Sequence, residues 1–391
     1  MKINLNKYLL YSSVFAIYTE AFFFNYVIDW KLLYLIIFVN FILLLKYKKI
    51  TFNKYFIGLL AFFFIHGFIC YTIITIPYNF MLSQILGIAI VSTYFYNFIR
   101  INDLNAVIKT YTNITLFIAI IGFPLYFFGV NFNEYSDPRF YSILKEPAHY
   151  VILVLPACYY YFKTKKYISF FILFITLILS NSSLGYIGCG LIFLLPNLNR
   201  NRLAYFAATV PFVIISFVYT YNNFEFFKMR VDDTVENLKV INTGKFKEDT
   251  NLSSYVMLAN MYIMKENVKE HPLGSGIGSH HYMHTEKYLK KMRPPQYLRS
   301  QNRHTDNSFD ANSLFNRMFS EFGIIGLVII IISFFFFYKS FTSSDYIFSQ
   351  GLVIYFILKL FRDGHYFPPE LFFFIWIFYF SFIKSKSNLN A

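Results

Sequence analysis

Four polar clusters in a largely apolar chain hold the residues able to do chemistry. The first is DPRFYSILKEPAHY, Asp137 to Tyr150. Pro138 and Pro147 mark it as a loop entering a helix, and Pro147 suits a first helical turn, which has no use for its N–H. Glu146 then stands at the helix N-terminus. It is either a cap that profits from the helix dipole, or a general base in a partly dry site beside Arg139, able to take a proton from a hydroxyl. The second cluster is HPLGSGIGSHH, residues 271–281. Gly274, Gly276 and Gly278 predict a tight turn. Its N–H groups either form an anion nest or let the loop pack closely. The glycine order is not that of a dinucleotide fingerprint, and no strand precedes it.

The third cluster, KKMRPPQYLRSQNRHTD, brings Lys290, Lys291, Arg293, Arg299, Arg303 and His304 together. Such a run wants an anionic partner, either lipid headgroups or a pyrophosphate, which arginine can bind through two parallel hydrogen bonds. The fourth is DANSLFNRMFSEFGIIGL, Asp310 to Leu327. Asn312 or Ser313 can cap the helix that follows, and Arg317 and Glu321 are i, i+4 partners. Arg362, Asp363 and His365 close the inventory. His280 and His284 form an i, i+4 pair, but no further ligand follows at zinc-enzyme spacing. They read as solvated loop histidines, and no metal or other cofactor is expected. Ser253–Ser254 lacks a nucleophile-elbow pattern.

The scaffold that must position these groups is apolar. The chain has 391 residues, 57% hydrophobic and only 14% charged, against roughly 25% charged in soluble domains. Apolar runs of about 20 residues recur, the length that crosses a bilayer. Cys70, Cys158 and Cys189 all lie in such runs and suggest neither a disulfide nor a metal framework. The pattern predicts an all-α polytopic membrane protein of about 12 transmembrane helices, at 8–28, 32–45, 55–76, 80–99, 110–129, 147–162, 167–181, 184–196, 203–221, 314–338, 345–361 and 367–383. We expect one domain, 1–391, with one large polar loop, 222–311.

Net charge is +14. With the N-terminus inside, the inner connections hold sixteen basic residues against two acidic ones, Asp103 and Asp345, which accounts for the whole excess. The basicity is therefore the positive-inside signal and not a nucleic-acid footprint. Both termini are expected in the cytoplasm and the 222–311 loop outside, with 130–146 and 362–366. Within the large loop, Tyr255, Leu258, Ala259, Tyr262, Ile263 and Val268 recur at helical spacing over 253–269. This amphipathic helix either lies at the membrane interface or over a cavity, or packs on its own loop. Glu20, His66 and Lys359 are the few ionisable groups placed near the midplane, and no internal repeat is present. Both points argue against a transporter.

EHPLGSGIG followed by DANSLFNRMFSEFGIIGL resembles the O-antigen ligase and polymerase superfamily, whose members share a glycine-rich HPL turn and an Asn…Glu-x-Gly entry to the next span. RFYSILKEPAHY and FRDGHYFPPELFFFIW are similar to further outer loops of that family, so the resemblance covers spaced patches of roughly 139–380. Ala311 stands where ligases place a histidine, which points to a Wzy-type polymerase rather than a ligase. No Arg is followed eleven residues later by Gly, as in some O-antigen polymerases. The resemblance implies a bacterial inner-membrane glycosyltransferase. It would join undecaprenyl-pyrophosphate-linked oligosaccharide repeats at the periplasmic face, without metal, among membrane lipids. A chain-length regulator and a flippase are candidate partners. On this reading Glu146, Arg139 and Arg230 are catalytic. Arg293, Arg299, Arg303, His304, Asn312, Arg317, Glu321 and Arg362 contact substrate. A ligase acting on a lipid or protein acceptor, and a flippase of the same glycan, are the alternatives.

Overall fold

The computed structural model describes residues 4–26, 28–48, 50–130, 139–197, 203–341, 346–366 and 368–389. Asp137, Pro138, Lys2, Lys49, Arg200, Arg202 and Asp345 lie outside them, as do the side chains of Arg230, Lys384 and Lys386.

A helix overlaps each of the twelve expected segments. These helices are α1 (Leu5–Ala16), α2 (Leu32–Tyr47), α3 (Lys54–Ile74), α4 (Asn79–Ile101), α5 (Leu104–Phe127), α6 (Pro147–Lys163), α7 (Tyr167–Leu179), α8 (Ser183–Leu194), α9 (Leu203–Asn223), α15 (Leu314–Ser340), α16 (Ile347–Phe361) and α17 (Pro369–Leu389). Among the described residues, α3, α4, α5 and α15 are long and apolar enough to cross a membrane. Several of the others are shorter: α7, with 13 residues, is about 20 Å long against a hydrocarbon core of about 30 Å. The first span is also corrected. Its helix stops at Ala16, and an antiparallel hairpin follows, β1 (Phe23–Tyr26) against β2 (Ile28–Lys31), with Phe23 opposite Lys31. Glu20 therefore lies beyond α1 and not within a span.

Local sequence sets the helix starts. Asn53 caps α3 through the N–H groups of Tyr55 and Phe56, Asp103 caps α5 through Ala106, and Pro147 opens α6. Helix α6 forms the centre. Tyr150 to Tyr159 are buried without a break, as befits a helix that is apolar all round. Small residues let its neighbours approach: Gly188 of α8 rests on Leu155, and Gly351 of α16 on Pro156. The outer faces show large apolar side chains, among them Phe38, Ile73, Phe117, Ile168 and Ile331. So broad an apolar belt needs lipid to cover it, and the chain is a multi-pass membrane protein.

The connections sort into two sets at opposite ends of the helices. At one end Asn97 bonds Thr51, Asn53 bonds Tyr379, and Gln350 bonds the Ser340 carbonyl. The segments around 20, 77, 142, 180, 273, 311 and 364 meet at the other. The large loop folds into α10 (Glu225–Asn237), α11 (Val240–Thr243), α12 (Leu252–Glu270), α13 (His280–Tyr282), a π-helical turn Met283–Tyr288, and α14 (Gln296–Ser300). The amphipathic helix is α12. It buries Tyr255, Leu258, Ala259, Tyr262 and Ile263 against α10, α11 and the start of α15. The apolar stripe is thus spent on protein packing rather than on lipid.

Candidate active site

The glycine-rich turn and the tenth span solve one hydrogen-bonding problem together. Helix α15 breaks at Gly323, whose φ of 55° and ψ of −134° are non-helical. A break there leaves the Ser320 and Glu321 carbonyls and the Ile324 N–H without intrahelical partners. The 271–276 turn supplies all three: Ser275 N donates to Ser320 O (3.2 Å), Gly276 N donates to Glu321 O (2.8 Å), and Ile324 N donates to Pro272 O (3.0 Å). The fit is close enough to exclude side chains. A Cβ on Gly274 would overlap the Glu321 carbonyl, and one on Gly323 the Pro272 carbonyl. Gly274, Gly276 and Gly278 all have positive φ, which glycine adopts freely. The N–H groups of Ser275 and Gly276 are therefore engaged, and the nest reading gives way to close packing. Helix α3 adds two clamps, His66 Nε2 to Leu273 O (2.9 Å) and Tyr71 Oη to Ile277 O (2.8 Å). His66 thus serves the turn.

A buried polar network backs the turn. Asn267 donates to Ser275 Oγ and Ser320 O, and Ser275 and Ser279 share a hydrogen bond of 2.6 Å. His280 Nε2 donates to Asn260 Oδ1 (3.0 Å), which leaves Nδ1 to accept from Ser320 Oγ (2.9 Å). The histidines expected to be solvated are not. His280 and His284 are fully buried because α12 and the π-helical turn enclose them. Burial holds both as neutral imidazoles, His280 well below the usual pKa and His284 down to about 3. Both ring nitrogens of His284 lack a hydrogen-bond partner among the described residues. His281 stacks on Phe309 at 3.6 Å and bonds Ser308.

Arg317 stands on the polar half of α15, which Ser313 caps through the Asn316 N–H. The guanidinium meets Glu321 Oε1 (3.1 Å), Gly364 O (3.0 Å) and Gln84 Oε1 (2.8 Å) and lies 4.0 Å over the Tyr366 ring. The expected Arg317–Glu321 pair exists and is buried. Arg317 also ties α4 and the 362–366 loop to α15. Asn312 is buried in a left-handed turn with Ala311. Its carbonyl accepts from Asp363 N (3.1 Å), and Gly364 fits flush against the same turn.

Beside this junction lies a cavity of about 30 Å³, walled by Glu20, His149, Asp363, His365 and Glu370. His149 Nδ1 is 2.8 Å from Glu20 Oε2, Lys31 reaches Glu20 at 3.5 Å, and Lys359 reaches Asp363 at 2.5 Å. Lys359 and Glu20, read as midplane charges, both serve this end of the molecule. Asp363 is held well below the usual carboxylate pKa, by Lys359 in opposition to burial. The donor atoms of Asp310, Asp363 and His365 lie within 4.8 Å of one another. The spacing argument against a metal therefore fails in its premise: distant segments assemble what no local motif contains.

The other expected site residues are dispersed. Glu146 is the residue before α6 and makes no capping hydrogen bond with its side chain. Three residues on, His149 enters the cavity wall. Arg139 is half-buried at the start of residues 139–146, the strap that leads into α6. There the Phe140 N–H bonds the Leu179 carbonyl, and Ser142 bonds Ile118 O. Arg230 lies in α10. Arg293 and Arg299 are exposed, and Arg303 pairs with Asp306 at 3.0 Å. His304 accepts the Tyr255 hydroxyl through its carbonyl (2.8 Å), and Arg362 is half-buried at the end of α16. Sequence reading passed over Glu20, His149 and Glu370 as site residues. Their only signal was an unexplained charge beside an apolar run.

Residues 168–331 match the family described as O-antigen ligase (Wzy_C). That range takes in the 271–281 turn, Asp310 and the break in α15, while Glu20, His149, Asp363, His365 and Glu370 fall outside it. No curated protein and no solved structure matches the chain. Over residues 168–331 this membrane protein is similar to the O-antigen ligase family.

Proposed function

We propose that the protein is a polymerase of lipid-linked oligosaccharide repeats at the periplasmic face of a bacterial inner membrane. The observation that carries this reading is the matched domain, with its glycine turn seated in the broken α15 beside a cluster of carboxylates, histidines and an arginine. Ala311, where ligases place histidine, favours polymerase over ligase. The bias of Lys and Arg toward the opposite end favours the periplasm for the large loop.

In the reaction an acceptor sugar hydroxyl attacks the anomeric carbon of a glycan held on undecaprenyl pyrophosphate. The new glycosidic C–O bond forms as the bond to the pyrophosphate oxygen breaks, and the lipid pyrophosphate departs with the electron pair. Glu146 takes the hydroxyl proton. Arg139, Arg230 and one of Arg299 or Arg303 stabilise charge on the leaving pyrophosphate. Asn312, Arg317 and Glu321 shape the floor, while Arg293, His304 and Arg362 flank the entrance.

The glycan ladder of a null strain is the deciding experiment. One repeat unit on the final acceptor is the expected result. Free lipid-linked polymer would instead make the protein a ligase, and absence of external glycan a flippase. Sidedness is tested separately: a cysteine at Ser300 should label from the periplasm and one at Thr164 only from the cytoplasm.

A further inference from the structure

We propose that the junction between the 310–313 turn and the 362–370 segment is a divalent-cation site, ligated by Asp310, Asp363, His365 and Glu370. Two independent observations converge there. The donor atoms of Asp310, Asp363 and His365 lie within 4.8 Å of one another. Donors on opposite sides of one Mg²⁺ or Ca²⁺ are about 4–5 Å apart. Asp363 and His365 also open on the cavity of about 30 Å³, and Glu370 forms part of the same wall. Glu370 is 8% exposed and stands beside Tyr355, while Lys359, the cation that faces it, is already paired with Asp363. A buried carboxyl without a cation of its own takes up either a proton or a counter-ion. The cavity has room for one small ligand.

Each ligand keeps a lone pair for the ion. Asp310 Oδ1 accepts the Asn312 N–H at 3.1 Å, and Asp363 Oδ1 accepts the His365 N–H at 3.1 Å. Lys359 occupies one side of Asp363 Oδ2, which leaves Asp310 and Glu370 to be balanced. Glu20 and His149 neutralise each other on the facing wall. Three carboxylates with one imidazole suit a hard or borderline ion such as Mn²⁺ rather than a soft one. The ion would pin the turn that starts α15 to the loop between α16 and α17, where Gly364 already brings the two backbones together. The inference is independent of the transferase reading.

The test uses the full chain in lipid nanodiscs, stripped with EDTA and titrated with Mn²⁺ under electron paramagnetic resonance. One saturable Mn²⁺ per chain is expected, with hyperfine coupling to an imidazole nitrogen and a higher unfolding temperature. His365→Gln should abolish the nitrogen coupling and weaken binding by about tenfold or more. His365 is exposed, so this replacement leaves the fold intact, which gel filtration checks. Asp310→Asn should weaken binding likewise. Should that variant misfold, His365→Gln decides alone. Absence of saturable Mn²⁺ binding, or binding and nitrogen coupling unchanged in His365→Gln, overturns the site.

Discussion

The turn at 271–281 and the cavity at Glu20, His149, Asp363, His365 and Glu370 face the same end of the molecule but have opposite characters. In the turn, the hydrogen-bonding groups freed by the break in α15 are matched, the glycines are wedged against carbonyls, and Arg317 beside it is bonded on three sides. In the cavity wall, Glu370 is buried, and Lys359, the cation that faces it, is already paired with Asp363. The turn carries the strongest sequence signature and is structural; the cavity carries almost none and keeps unspent chemistry. A recognisable motif can mark where a fold is locked, while reactivity sits next to it.

Substitutions that separate activity from folding break or sharpen this contrast. The largest effect is expected in the strap that leads into the cavity. Glu146→Gln should cut chain extension by about 10²–10⁴ if the carboxylate is the base, with normal protein levels in the membrane. Arg139→Lys should lose most activity, since an ammonium cannot reproduce two directed bonds to a phosphate. Full-length polysaccharide from both variants would remove the strap from the site. In the locked region the loss should instead be in stability. Arg317→Met strands Glu321 in a buried position and should cost about 3–5 kcal/mol, measured by thermal unfolding in nanodiscs. The double variant Arg317→Met, Glu321→Gln should recover much of it. Gly323→Ala should cost about 1–3 kcal/mol from backbone strain alone, and more from overlap with Pro272.

Much of this organisation was legible in advance. Hydrophobic runs foretold the apolar helices because a lipid-facing or buried helix must be apolar along its whole length. The stripe of α12, the Ser313 cap and the Arg317–Glu321 pair were readable because each is local. The end of α1 was misplaced because Ala21 to Tyr26 are as apolar as a span, although the chain turns there into a hairpin. The cavity was illegible for a different reason. Glu20, His149, Asp310 and Asp363 are far apart in sequence, and only the packing of α1, α6 and α16 brings them together. The burial of His280 and His284 was hidden in the same way, since a charged loop gives no sign that it encloses a core.

Two smaller effects probe the loop. His284 is buried neutral, with its pKa lowered to about 3, so the unfolded chain binds a proton there that the folded chain refuses. Stability should fall as pH drops below about 6.5, by at most about 1.4 kcal/mol per pH unit for one proton. His284→Phe should remove that part of the acid sensitivity. Glu270, bridged to Lys287 and Lys291 at 2.6 and 2.9 Å, has its pKa lowered to about 2, by those lysines in opposition to burial. Its contribution should be complete above about pH 4.5 and disappear as pH falls toward 2. Because the group is near the surface, Glu270→Gln should cost under about 1 kcal/mol, read from chemical denaturation at pH 7.

The break in α15 also governs how such proteins can be recombined. The turn and the helix close each other's backbone, so the 224–313 loop is not a cassette that can be exchanged by cutting at the membrane surface. A chimera joined at Ser313 would place a foreign turn against a native break, with two carbonyls and one N–H left to find partners. Crossovers should instead fall beyond Gly326, or upstream of α12, so that both halves of the joint come from one parent. Chimeras built that way should reach the membrane folded, and the specificity of the donor loop would travel with its own first helical turns.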